Sequence, residues 1–123
     1  MKITMLKCIE SLNGFSKLSH CDLPFKLSYT VAQNVKNLEA IVRPFEEKRN
    51  EFIESLKAEV YSDDDGKQVV SDEAAEKFSE DVRELLNEEH EVHIKKINMY
   101  GVETSGIKPS DIKGCIEFIE MAE

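Results

Sequence analysis

The chain has 123 residues, 41% hydrophobic and 33% charged, with a formal net charge of −9. This composition suits one folded domain over 1–123 with a modest core and excludes a disordered chain, and no apolar run approaches the roughly 20 residues a membrane helix needs. Tryptophan is absent and the chain is acidic, so direct binding to nucleic acid by stacking or phosphate contact is disfavoured.

The excess charge is local. Residues 1–61 balance at +1, residues 62–91 at −9 and residues 92–123 at −1. The acidic third quarter favours a protein partner with a basic surface. Cys8, Cys21 and Cys115 are odd in number and scattered, which reads as reduced thiols of a cytoplasmic protein. The first eight residues lack the apolar core and small residues of a secretory signal.

Met5, Leu6, Ile9 and Leu12 fall at helical spacing and predict a short helix over 4–13, stopped by Asn13-Gly14. Residues 15–21 form a connector. Asp22-Leu23-Pro24 then opens a long helix, about 24–59, since proline fits the first turn. Along it Val31, Val35, Leu38, Val42, Phe45, Phe52 and Leu56 are spaced 4-3-4-3-7-4, and Arg49 fills the missing heptad slot. Pro44 removes the bond to the Ala40 carbonyl and should kink this rod.

Val60-Tyr61 and Val69-Val70 flank Ser62-Asp63-Asp64-Asp65-Gly66 and predict a small hairpin. Ser71 is an N-cap for a third helix, about 72–90, with Asp72 and Glu73 in its first turn. Ala75, Phe78, Val82 and Leu85 carry a seam matching that of the long helix. The alternation Val92-His93-Ile94, resumed at Ile97 and Met99 after Lys95-Lys96, predicts a bulged strand. Pro109 opens a last helix burying Ile112, Cys115, Ile116 and Ile119.

No residue set reads as catalytic, cofactor-binding or metal-binding. With Gly66 at position 6 of an EF-hand loop, position 1 becomes Tyr61 and position 12 Asp72, so the first ligand is missing and the last is shortened. His20-Cys21 and His90-x-x-His93 lack any marked convergence, and no phosphate-cradling loop or hydrolase motif is present. Two polar features stand out. Glu73, Glu76, Glu80, Glu84, Glu88 and Glu91 recur at 3-4-4-4-3 and predict a row along one side of the third helix, read either as a solubility face or as a partner-binding face. Arg49 in the seam is a structural polar residue that would fix register once paired, with Glu46 or a third-helix glutamate as partner.

The order of parts runs from a short apolar helix through Leu23-Pro24 into a long helix with Phe45-Glu46-Glu47-Lys48-Arg49-Asn50. An Asp-Gly turn, a helix ending in Leu85-Leu86, a Val92-x-Ile94 strand and an Ile107-Lys108-Pro109-Ser110-Asp111 start follow. This order resembles a family of small bacteriophage and prophage proteins of unknown function, and the architecture is similar to prefoldin-like hairpins.

The expected fold is mainly α (α+β): an antiparallel coiled-coil helical hairpin, arms about 24–59 and 72–90, with a small β element and short flanking helices. Residues 1–22 and 91–123 form its base. The expected function is non-enzymatic protein–protein interaction. The resemblance implies a phage accessory protein in the host cytoplasm or the virion, binding a virion or host protein. The alternatives are an acidic nucleic-acid mimic that inhibits a host enzyme, or an enzyme or metal site near Cys21 or His90. A homo-oligomer with swapped hairpins satisfies the same seam.

Overall fold

The structure is a computed structural model describing residues 1–57, 60–62, 68–70, 72–102 and 106–121; for 56, 57, 60–62 and 68–70 only the backbone is described. Strand β1 (Lys2–Thr4) leads directly into α1 (Met5–Leu18). Thr4 caps this helix, its Oγ1 accepting from the Lys7 N–H at 3.2 Å. The helix is longer than predicted: Asn13-Gly14 lies inside it and does not stop it. Gly14 is buried, and a Cβ built there would stand 2.6 Å from the Cys115 Sγ. Glycine is needed here for close approach of another segment, and tertiary packing overrides its helix-breaking tendency.

Helix α2 (Phe25–Lys57) follows, and the Pro24 carbonyl accepts from the Ser28 N–H at 2.9 Å. It runs 33 residues, about 50 Å, and continues through Pro44. The predicted seam divides into two halves. Val31, Leu38, Val42 and Phe45 are buried, with Val35 half-buried beside them. This half packs chiefly on α1, whose buried face is Met5, Cys8, Ser11, Phe15 and Leu18. Leu12 lines a surface pocket with Glu39, Val42 and Arg43, which places the middle of α1 against the middle of α2. The seam's main partner is thus α1 and not the third helix. Beyond Phe45, residues 46–51 are all exposed.

Strands β2 (Val60–Ser62) and β3 (Gln68–Val70) pair antiparallel with Val60 opposite Val70, matching the expected hairpin. The acidic turn and Ser71 lie outside the described residues, as does the calcium-loop alignment that depends on them. Helix α3 (Asp72–Leu86) ends four residues earlier than predicted. The chain is taken over by β4 (Glu89–Glu91), which pairs antiparallel with β1, Ile3 opposite His90. Ala75 is exposed, whereas Ala74, Phe78, Val82, Leu85 and Leu86 are half-buried. Phe78 meets Phe52 of α2 edge-on, ring centroids 6.3 Å apart.

From Val92 to Met99 burial alternates much as predicted, with Val92, Ile97 and Met99 buried. Residues 92–96 nevertheless form no strand; only β5 (Ile97–Asn98) does, pairing in parallel with β6 (Ile119–Glu120). Helix side chains serve the backbone of the stretch instead. Asn34 Nδ2 donates to the Lys95 carbonyl at 2.8 Å, and the Lys95 N–H donates to Asn34 Oδ1 at 2.9 Å. Asn37 Nδ2 donates to the His93 carbonyl at 3.1 Å. The closing helix is also different from its prediction. A short α4 (Pro109–Ile112) becomes a 3-10 segment over Lys113–Phe118. With three residues per turn, Ile112, Cys115 and Phe118 share the inner line, and Ile116 is left 51% exposed. Gly114 permits this: a Cβ there would lie 2.0 Å from the Glu10 carbonyl oxygen.

Two stability predictions follow from these contacts. Gly14→Ala should destabilise by about 1–3 kcal/mol through overpacking against Cys115, outweighing a helix-propensity gain of about 1 kcal/mol. Asn34→Leu removes both partners of the Lys95 backbone and should cost about 2 kcal/mol. Urea unfolding monitored by circular dichroism checks both, and unchanged midpoints would contradict these assignments.

Candidate protein-interaction surface

Helix α3 carries six acidic residues against Lys77 and Arg83. Glu73, Glu76, Glu80 and Glu84 all lie on it and are all exposed. Among the described residues none of the four makes an ion pair. Their 3-4-4 spacing aligns them on one side, and like charges at these separations cost a few tenths of a kcal/mol per pair.

The six-glutamate row is shorter than predicted because α3 stops at Leu86. Glu88 sits in the turn after the helix, where its carbonyl accepts from the Met5 N–H at 2.9 Å and its Oε1 lies 4.0 Å from His90 Nε2. Glu91 sits on β4, where its Oε1 is 2.6 Å from the Met1 ammonium. That ammonium donates to the Glu91 carboxylate and holds it below the usual glutamate range. The pair therefore contributes at neutral pH, and its contribution is lost as pH falls through the lowered value. These last two glutamates belong to the β1–β4 junction.

Arg49 is exposed on the outer half of α2 and does not sit in a buried seam. The seam's buried polar residue is Asn34, fully enclosed between the levels of Val31 and Leu38. An asparagine three residues after one seam valine and four before a leucine was its signal, but nothing in the sequence marked Lys95 as its partner. Of the off-seam apolar residues, Ile41 and Leu86 pack against the core, whereas Ile53 is 39% exposed.

The residues weighed for catalysis are scattered. His20 and His93 are exposed, and Cys21 is half-buried with its Sγ 3.5 Å from the Lys17 carbonyl. No three His, Cys, Asp or Glu side chains converge on a metal position among the described residues. Cys8 and Cys115 are buried thiols raised by desolvation, Cys115 to about 11. A shallow groove between α1 and the 3-10 segment is bordered by Lys7–Glu117 (2.5 Å) and Lys17–Asp111 (3.8 Å) ion pairs. These two pairs match four of its charges to each other, and Glu10 and Lys113 also line it.

No protein-family model matches this chain, and no curated protein or solved structure matches it. Among the described residues no helix is long and apolar enough to cross a membrane.

The thiols yield a prediction. Ellman's reagent should modify Cys21 first, with Cys8 and Cys115 reacting only on unfolding. Because burial raises Cys115, its thiol favours the folded state below the ordinary value of 9.0 and this is lost as pH rises towards about 11. The urea midpoint should fall across that interval, and Cys115→Ala should flatten part of the fall. Equal reactivity of all three thiols in the native protein would contradict this.

Proposed function

We propose that the chain is a non-enzymatic protein–protein interaction module whose α3 arm binds a basic protein surface. In this reading α2 and α3 are the arms of an antiparallel coiled-coil hairpin closed by the β2–β3 ribbon, a pairing supported by the Phe52–Phe78 contact. The observation that carries the proposal is the exposed, unpaired glutamate row on α3. Those carboxylates repel one another, and although Lys77 and Arg83 stand beside them on α3 none forms an ion pair, so the described chain leaves them without full compensation. A cationic partner supplies that compensation and gains electrostatic steering.

The resemblance to phage and prophage proteins suggests a virion or host protein as the partner. Nucleic-acid mimicry is the second reading, favoured by the regularity of the row. Successive carboxylates on α3 advance about 4.5–6 Å along the axis, against roughly 3.4 Å per phosphate on one DNA strand. The line of charge is sparser than a strand, so a basic protein surface fits better than a site shaped for nucleic acid.

Two measurements test the reading. Glu76→Lys places a cation among Asp72, Glu73 and Glu80, so it should raise the urea midpoint by relieving a few tenths of a kcal/mol per neighbouring pair. Glu76, Glu80 and Glu84 changed together to Lys should abolish retention of the partner captured by the unmodified protein. That retention should weaken at least tenfold between about 0.1 and 0.5 M salt. A partner that survives both the charge reversal and the salt binds elsewhere, and the proposal fails.

A further inference from the structure

A second exposed face, opposite in charge to α3, lies at the start of α2. Phe25 is 87% and Tyr29 58% exposed, large values for aromatic side chains. Lys26, Tyr29, Gln33 and Lys36 follow at steps of three, four and three, so they share one side of the helix. Lys95 joins them, its Nζ donating to Gln33 Oε1 at 3.2 Å. The Asn34–Lys95 backbone bonds hold that segment in place beside the helix. No acidic residue occurs between Asp22 and Glu39.

Among the described residues no hydrogen bond or ion pair joins the two charged faces within one chain. Phe52, which meets Phe78 of α3, lies 23 residues beyond Tyr29 on α2, about 35 Å away. They do match in extent. Phe25 to Lys36 and Glu73 to Glu84 each cover 12 residues, a rise of about 17 Å.

We propose that the α2 face receives the α3 glutamate row of a second copy of this chain, so that copies join head to tail. This rests on the reading of α3 as the binding arm and names its partner. Lys26, Lys36 and Lys95 meet the incoming carboxylates, while Phe25 and Tyr29 cover the aliphatic stems of the glutamates. Each copy keeps a free face at either end, so the contact is heterologous and assembly is open-ended or closes as a ring. The small contact area makes it weak and reversible. A nucleic acid is the less suitable occupant, because this chain carries −9 overall and would repel it at long range.

Sedimentation velocity of the full chain tests the proposal, over about a hundredfold range of concentration at about 0.1 M salt, where the screening length is about 10 Å. The sedimentation coefficient should rise with concentration, and the rise should vanish at about 0.5 M salt. The triple variants K26E/K36E/K95E and E76K/E80K/E84K should each stay monomeric, and their equimolar mixture should associate, since each then supplies the charge the other lacks. Circular dichroism confirms that both variants are folded; if either is not, the corresponding Lys→Gln and Glu→Gln sets replace them and should each weaken association at least tenfold. An unmodified chain that stays monomeric overturns the proposal, as does association that persists in either variant or fails in the mixture of folded charge-reversed variants. A single-stranded oligonucleotide bound by a monomeric unmodified chain, and lost on K26E/K36E/K95E, overturns it and gives the face to nucleic acid. If self-association fails but E76K/E80K/E84K still loses a captured basic protein, the functional reading stands without this one.

Discussion

Contact between two backbones at Gly14 and Gly114 organises this molecule. Helix α1 is clamped on one side by α2 and on the other by the 3-10 segment that carries Cys115 and Phe118. At both glycines the neighbouring atoms stand where a Cβ would be. That closeness lets the rings of Phe15 and Phe118 meet within one core, tilted by 31° with centroids 6.1 Å apart. It also brings Ser11 Oγ within 3.4 Å of the Gly114 carbonyl. The buried residues form one cluster drawn from α1, the first half of α2 and the segments near residues 92–99 and 115–118. Helix α3 joins that cluster only with half-buried Val82, Leu85 and Leu86.

A polar device completes the core. The buried Val92 donates its N–H to the Met1 carbonyl at 2.9 Å, but beyond it residues 93–96 pair with no strand. Buried backbone groups must be paired somewhere, and Asn34 and Asn37, three residues apart on α2, do so with their side-chain amides. Asn34 both donates to and accepts from Lys95, as a paired strand would. The same bonds decide where Lys95 stands, and with it the positive face at the start of α2. Core satisfaction and surface charge are coupled through one side chain.

The surface follows from how far α2 extends past its support. Its first half is anchored on α1, whereas the residues after Phe45 are exposed until Phe52 meets Phe78. The helix therefore acts as a strut, holding lysines and aromatics at one end and the glutamates of α3 towards the other. Among the described residues no ion pair joins the two sets of charges, and both lie exposed on the surface.

Much of the architecture was legible in the residues. The seam of α2, its start after Pro24, the β2–β3 hairpin and the inward alternation from Val92 to Met99 all show as spacing, because periodicity records which side of an element is buried. The exposure of Glu73, Glu76, Glu80 and Glu84 was equally readable. Spacing does not name the partner of a buried side. A stripe on α2 fits α1 or α3 equally well, and only the folded chain assigns it mainly to α1. The same limit explains Gly14, which reads as a helix stop until Cys115 is seen against it. It explains Arg49 as well: its heptad slot is buried only where a neighbour covers it, and in the folded chain Arg49 is exposed. The chain's own residues determined the amphipathic elements and the uneven charge. Tertiary contact decided which stripes meet, where α3 yields to β4, and which polar residue is enclosed, since these depend on segments far apart in sequence competing for the same surface.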